Sequence, residues 1–560
     1  MKTKFKLSLV GLLLFGLTAF AGVNDKGIEY YSAGMLETAR LFFLNQKDLT
    51  PADRAESYYY LGLIYDQFGM KKEMNEYFEK AYEIPETSYG YLCKAKLELA
   101  KNTKESLKTA DDMLKKAGNL AKKDASVQTK IAEAYFVAGL TDKAEAALEK
   151  ARKIDKTYSG IYMLEGDILM KNNQIGEATS RYENALYFND KDKLAYLNLA
   201  RVYNSINRKD LALDYLNKVL VIDPNFVPGY VLYGDIKHSQ GRYKEAIEAY
   251  EKAITVPGAP LEVNERYAQS LYFDKQYDKS QAQIQNVLAK DPNNAVMHRL
   301  EAYTDYELGN YEGGLKKMED FLSSVAIERH IYLDYLTMAQ YYEQQKQYDK
   351  AVESFKKALE LDQTKTELYK NMADAASSGG DYDNAIKYFE KYFELNTNYS
   401  PYDLYMYADL CSNAAGKCVN NYNTSLTPEQ TAKNDAELKI YADKVIKANT
   451  DLIERAPDSY LGYYGRAKIY STLDVYNLKK TGKMTGIAKP YYEEALKVLL
   501  ANNEEGKLNR YIIDAYNYFS VCAISDDDKP TVIDYNKKIL DVDPNNKDAR
   551  DILDALKVKY

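Results

Sequence analysis

The sequence predicts an all-α fold, a solenoid of stacked antiparallel helix pairs. Three observations predict it. A pattern of small and large apolar residues returns roughly every 34 residues along most of the chain. Within each return the apolar residues sit three and four apart, which gives a helix one buried stripe. Most returns then close on a turn, several with a proline that cannot continue a helix. The clearest copy is Lys193 to Phe226, KLAYLNLARVYNSINRKDLALDYLNKVLVIDPNF. Ala200 and Ala212 let two helix axes approach, while Tyr203, Leu216 and Val219 fill the space beside them. Asn207 and Arg208 fall in the turn between the helices, and Asp223-Pro224-Asn225 ends the second one. One such hairpin cannot bury its own apolar face, so it must stack on neighbours.

Residues 1–21 precede the repeats and read as a secretory signal peptide. Lys2, Lys4 and Lys6 form a basic start, Leu7 to Phe20 an apolar core too short to span a bilayer comfortably, and Ala19-Phe20-Ala21 a cleavage site. No cysteine follows, so the segment does not have the form of a lipoprotein signal. Cleavage near Ala21 removes three lysines and no acids, taking the formal charge from −8 to −11. The expected location is periplasmic or secreted, with no integral membrane segment in the mature chain.

Residues 22–400 read as a regular array. The first unit is degenerate, with Gly27, Tyr30, Ala39 and Phe43; the second has Gly62, Tyr65, Phe78 and Ala81; the third keeps Ala110, Leu114 and Ala117. A regular series follows: Ala132, Tyr135, Ala144 and Leu148; then Gly166, Leu169, Ala178 and Tyr182; then the copy quoted above. Gly234, Ala246, Tyr250 and Ala253 mark the next, in GRYKEAIEAYEKAI, and Ala268, Leu271, Ile284 and Val287 another. Ala302 with Met318, Ala339 with Phe355, and Ala373 with Phe389 carry the last three. Residues 401–546 read as irregular repeats with two insertions, Asn413 to Lys433 and Leu473 to Gly486. Residues 547–560 read as a capping helix with Ala549, Ile552, Leu553 and Leu556 on one face, since an open solenoid end needs its last layer shielded.

This chain of matches, about 14 repeats in all, closely resembles the tetratricopeptide repeat (TPR) family in its exported bacterial form. The resemblance implies a superhelical solenoid whose first helices line a concave groove. It implies inward positions at Glu133, Asp167, Arg201, Asp235, Gln269, Tyr303, Gln340 and Asp374, flanked by Phe136, Met163, Leu197, Tyr272, Arg299 and Tyr306. From these the expected partner-binding groove is Asp167, Arg201, Asp235, Tyr272, Arg299, Tyr303 and Tyr306. Some members hold acidic chaperone tails in a Lys/Asn clamp; here Lys370 is in place, but Asp374 stands where the asparagine belongs.

Chemistry-bearing patterns are sparse. The three histidines, His238, His298 and His330, have no ligand-spaced partners, so no metal or cofactor is expected, and no nucleophile, phosphate-loop or dinucleotide motif occurs. The negative charge argues against nucleic acid. Among four cysteines, Cys93 and Cys522 sit in helical apolar runs. Cys411 and Cys418 bracket Ser412 to Lys417 at the mouth of the first insertion and are the candidate disulfide pair of an exported protein, subject to their Cβ atoms meeting. The 55 tyrosines, with no tryptophan, read mainly as repeat packing residues. The expected function is a non-enzymatic scaffold for protein or peptide partners in the bacterial cell envelope. The alternative is a carbohydrate- or peptidoglycan-associated binding protein, supported by the Tyr, Asn and Asp content of the groove.

Overall fold

Turn chemistry sets the beat of the chain. In a computed structural model, which describes residues 22–255, 260–423 and 425–559, a left-handed residue closes the turn from first to second helix at Gly139, Asn173, Asn207, Gly241, Lys275 and Gly309, 34 residues apart each time. Glycine meets that positive φ without cost and asparagine tolerates it. The next such residue is Lys346, and the longer interval is taken up by a short 3-10 turn, Ile327–Arg329. The turn from second to first helix is held by an Asx turn. The Asp155, Asp223, Asp362 and Asp543 carboxylates each accept the amide two residues on, at 2.8, 2.9, 3.0 and 3.0 Å.

The expected signal segment lies outside the described residues, and all regular elements among the described residues are helical. The chain divides into two compact units, residues 1–304 and 305–560. The first opens with α1 (Asp25–Ser32), α2 (Leu36–Leu44), α3 (Pro51–Gln67), α4 (Lys71–Tyr82), α5 (Ser88–Lys101) and α6 (Lys104–Leu120). It continues with α7 (Ala125–Val137), α8 (Thr141–Ile154), α9 (Ser159–Lys171), α10 (Ile175–Phe188), α11 (Lys193–Ser205) and α12 (Lys209–Ile222). Then come α13 (Val227–Ser239), α14 (Tyr243–Ile254), α15 (Leu261–Phe273), α16 (Tyr277–Leu288) and α17 (Ala295–Glu307), in which the division falls.

The second unit holds α18 (Tyr311–Ser324), α19 (Tyr332–Gln344), α20 (Tyr348–Leu361), α21 (Leu368–Ser378), α22 (Tyr382–Leu395) and α23 (Pro401–Asn421). It ends with α24 (Pro428–Arg455), α25 (Tyr460–Thr481), α26 (Lys489–Ala501), α27 (Asn509–Ser525), α28 (Lys529–Val542) and α29 (Lys547–Ala555). From α1 to α16, and again from α19 to α28, each odd-numbered helix packs on the even-numbered one after it. The fold is the all-α superhelical solenoid that the sequence predicts. Ala549 and Leu553 of α29 are buried, so this short helix covers the last layer.

Within a pair, a small residue on the first helix receives a large one from the second. A side chain at Gly166 would put its Cβ 2.4 Å from the Tyr182 ring, and at Gly234 2.6 Å from the Tyr250 ring. The residue after each glycine is an aspartate that accepts that tyrosine's hydroxyl: Tyr182 to Asp167 at 2.7 Å, Tyr250 to Asp235 at 2.6 Å. At Gly62 the incoming ring is Phe78, which has no hydroxyl, and the next residue is Leu63. A second set joins neighbouring pairs: the hydroxyls of Tyr135, Tyr267, Tyr342 and Tyr407 donate to Asp111, Glu251, Glu319 and Glu390 on the preceding even-numbered helix. Buried hydroxyls need such partners. The abundance of tyrosine therefore serves packing, as the sequence reading holds, and also ties one pair to the next through carboxylates.

The two expected insertions are corrected by the structure. Asn413 to Lys433 is largely helical: α23 continues to Asn421 and α24 starts at Pro428, capped by the Thr427 side chain. The polar composition is one face of a longer hairpin, whose other face buries Ala414, Ala415, Cys418 and Val419 against Leu438 and Tyr441. Likewise α25 continues to Thr481, well into Leu473 to Gly486. The candidate disulfide is also corrected. Cys411 and Cys418 are free, buried thiols on one helix, α23, seven residues apart. That places their Cα atoms ~10 Å apart along the axis, beyond disulfide reach. Burial pushes the two thiols up, to about 12 and about 11, so both are poor nucleophiles. Cys93 and Cys522 are buried and free, as expected.

Candidate functional site

The odd-numbered helices of the first unit bend around a common interior. Lys130 of α7 lies 5.7 Å from the Tyr60 ring of α3, although a whole pair separates the two helices in sequence. Further along, the chain's own first hairpin reaches across. The Arg201 guanidinium of α11 donates to the Ala33 carbonyl between α1 and α2, a contact spanning 168 residues of sequence. Lys193 of α11 joins Glu29 of α1 to Asp223, the latter at 2.8 Å. Ala33 packs in one apolar cluster with Leu197 and Ala200.

Several of the expected groove residues are therefore engaged within the chain. Asp167 accepts from Tyr182 and, at 3.3 Å, from Asn198; desolvation by the surrounding protein pushes its carboxyl up. Arg201 donates to Asn198 as well as Ala33, and desolvation pulls its guanidinium down. Asp235 takes Tyr250 and, at 2.8 Å, Arg266. Tyr272 is half-buried, packing on Phe273 and Tyr277, and Arg299 is also half-buried. Tyr303 is only 5% exposed and so offers little surface to a partner; its ring lies 6.3 Å from that of Tyr272, another of the expected groove residues. Tyr306, in the second unit, sets its ring edge-on to Tyr341 at 5.2 Å.

The second unit carries a surface that the sequence reading did not single out. Its components are Tyr402 and Tyr405 at the start of α23, Tyr460 and Tyr464 at the start of α25, and Arg510 and Tyr511 at the start of α27. The Tyr511 ring lies 5.0 Å from Tyr460 and 4.8 Å from Tyr464, and the Arg510 guanidinium sits 4.3 Å over it. Asp514 anchors this group from below, accepting from Tyr464 at 2.8 Å, from Tyr492 at 3.1 Å and from Lys468. Tyr402 is 64% exposed and the other tyrosines are half-buried. The signal was present as tyrosines at the start of three alternate helices, but no repeat register ran through the irregular region to align them.

A titratable pair lies on α19 and α21 of the same unit. Burial, followed by the nearby Asp374 carboxylate, pushes Glu343 up from 4.5 to about 7. Burial also raises Asp374, partly offset by Lys370. A raised carboxyl destabilises the folded state when ionised. That cost is absent below the unfolded value of 4.5 and complete above about 7. Glu343→Gln should therefore raise stability by about 1 kcal/mol above pH 7, after discounting for solvent screening, and leave it unchanged near pH 4.5. Urea unfolding midpoints of both proteins at pH 4.5 and pH 8 measure this; a gain that is equal at both would contradict it.

Among the described residues no group of three or more His, Cys, Asp or Glu side chains is arranged to hold a metal ion. No described helix is long and apolar enough to cross a membrane. Family models described as tetratricopeptide repeat match residues 55–88, 163–225, 227–258, 335–365 and 366–399. The chain is a tetratricopeptide repeat protein. Curated relatives of this TPR protein include small glutamine-rich tetratricopeptide repeat-containing protein 2 of Mycosarcoma maydis, 34% identical over 92 residues, which are 16% of this chain and 26% of that one. Hsp70-Hsp90 organizing protein 1 of Glycine max is 29% identical over 113 residues, 20% of each chain. The matched stretches thus span about a quarter or less of these relatives' own length. Among solved structures, the C-terminal part of a TPR repeat-containing protein from Cytophaga hutchinsonii is 23% identical, covering 51% of this chain and 98% of that one at a TM-score of 0.40. A TPR array of this kind supports a role as a protein-interaction scaffold.

Proposed function

We propose that this TPR protein is an exported, non-enzymatic scaffold that binds protein partners in the bacterial cell envelope, with the tyrosine and arginine surface of α23, α25 and α27 as its principal contact. The observation that carries the reading is the cluster of Tyr460, Tyr464 and Tyr511 under Arg510. Tyrosine and arginine dominate interface energetics, and rings already packed on one another lose little freedom on binding. In the first unit Asp167, Arg201 and Asp235 are committed to contacts within the chain, and Tyr303 is buried. Export rests on the basic start, apolar core and Ala19-Phe20-Ala21 of the leader.

The test is a pull-down from an envelope extract with the mature chain. Wild type should retain proteins, and Tyr460→Ala combined with Tyr511→Ala should weaken retention by about tenfold or more. Retention of purified glycan in place of proteins would favour the carbohydrate-binding alternative, for which the same rings offer stacking faces. Loss of protein binding only in an Arg299→Ala, Tyr272→Ala variant would return the site to the first unit. N-terminal sequencing that finds Met1 intact would overturn the export step.

A further inference from the structure

We propose that this chain has a second docking surface, a groove between α6 and α8 that takes an acidic, extended peptide segment. The groove has a volume of about 750 Å3. It lies on the side of α7 that bears Ile131 and Tyr135, and these positions are on a different face of the helix from Lys130 and Glu133. Its walls carry Lys115, Lys122, Lys143, Lys150 and Lys153, with Asp111 as the one acidic lining residue. Its floor is apolar, made by Leu114, Ile131, Ala147 and Ile154.

The charge is local and runs against the rest of the molecule. Residues 101–156 hold 13 Lys and Arg against 9 Asp and Glu, in a chain of net charge −8. Asp111 is already satisfied, accepting the Tyr135 hydroxyl at 2.8 Å and Lys143 at 2.7 Å. Lys115 stands 3.8 Å from Asp112 and is 69% exposed. Among the described residues no carboxylate lies within ion-pair distance of Lys122, Lys150 or Lys153. Gly118 sets the depth of the floor: a Cβ there would come 2.7 Å from the Gln128 amide nitrogen and 3.4 Å from Ile131.

A row of lysines over an apolar floor selects for carboxylates and apolar side chains on one ligand. An extended peptide supplies both, because alternate residues face opposite sides. A nucleic acid supplies the charge but nothing for the floor. The groove offers no open aromatic face for base stacking, since Tyr135 is only 8% exposed with Lys143 5.6 Å from its ring. The acidic remainder of the chain also repels a long polyanion more than a short peptide. The 14 residues of α8 run ~21 Å, the reach of about six or seven extended residues.

Fluorescence anisotropy on the mature chain tests this, using a fluorescein-labelled peptide of alternating Glu and Leu, about seven residues long. Saturable binding is expected that weakens as salt is raised and is absent for the Gln-for-Glu peptide. Lys150→Glu with Lys153→Glu should weaken it by about tenfold or more, while Lys497→Glu, on α26, leaves it unchanged. Circular dichroism establishes that each variant is folded. Absence of saturable binding at low salt, or equal affinity in the charge-reversed variant, overturns the proposal. So does tighter binding of a single-stranded oligonucleotide or of vesicles containing an anionic lipid when that binding is lost in the same variant.

Discussion

Gly166→Val should destabilise the first unit by about 2–3 kcal/mol, whereas Gly176→Ala, ten residues on, should change stability by less than ~1 kcal/mol. Both glycines are helical, so helix propensity favours replacement at each. They differ in what a side chain meets. At Gly176 nothing lies within 4 Å of an added Cβ, while at Gly166 the Cε1, Cδ1 and Cζ atoms of Tyr182 lie at 2.4, 2.7 and 2.8 Å. Tyr182 is 2% exposed, so its ring is enclosed by protein and cannot move without displacing neighbours. Any swing of its ring also breaks the hydroxyl's bond to Asp167. Denaturant midpoints measure the effect. Tyr182→Leu, added to Gly166→Val, should recover part of the loss by making room. An undiminished midpoint in the single variant would show that α9 and α10 are not in this register.

Asp474→Ala should cost about 3 kcal/mol or more and open the segment between α25 and α26. Asp474 is fully buried. Its carboxylate accepts the Thr485 and Ala488 amides at 3.2 and 3.3 Å, and the Thr485 and Tyr518 hydroxyls as well. Removing it leaves the Thr485 amide and hydroxyl and the Tyr518 hydroxyl without this acceptor in a buried place. Ala488 keeps one partner, since its amide also donates to the Tyr518 hydroxyl at 3.0 Å. Hydrogen exchange should therefore show the largest loss of protection at Thr485, less at Ala488, and little change in the first unit. Unchanged protection at Thr485 would mean that the segment is held by something other than this carboxylate.

These contacts mark what was legible in the sequence and what was not. The helix pairs were legible because turn, small residue and large residue each act over a few positions and return at one interval. The link from Asp167 to Tyr182 was within reach too, being the same fifteen-residue step as Asp235 to Tyr250. The long hairpin of α23 and α24 was misread because its exposed face is polar enough to pass for a loop. Its buried residues Ala414, Ala415, Cys418 and Val419 keep helical spacing nonetheless. Tyr303 keeps the 34-residue register of Asp235 and Gln269; what the sequence does not show is that its ring is covered there. The Arg201 contact to Ala33 had no local signature, because no interval of the repeat relates those two positions.

That last contact bears on the order in which the chain acquires its structure. An ordinary solenoid can fold from its first repeat onward, each hairpin resting on the one before. Here α1 and α2 emerge well before α11, from a ribosome or an export channel alike. Their docking residues on α11 follow only after a further 168 positions. At ribosomal speed that is an interval of roughly 10 to 30 seconds. Throughout it Ala33 lacks the surface that buries it in the finished protein, and closing so long a loop carries an entropic cost that local hairpins avoid. The hairpin of α1 and α2 can pack on α3 early, but its contact with α11 waits for that interval, during which a holdase would find Ala33 open to capture.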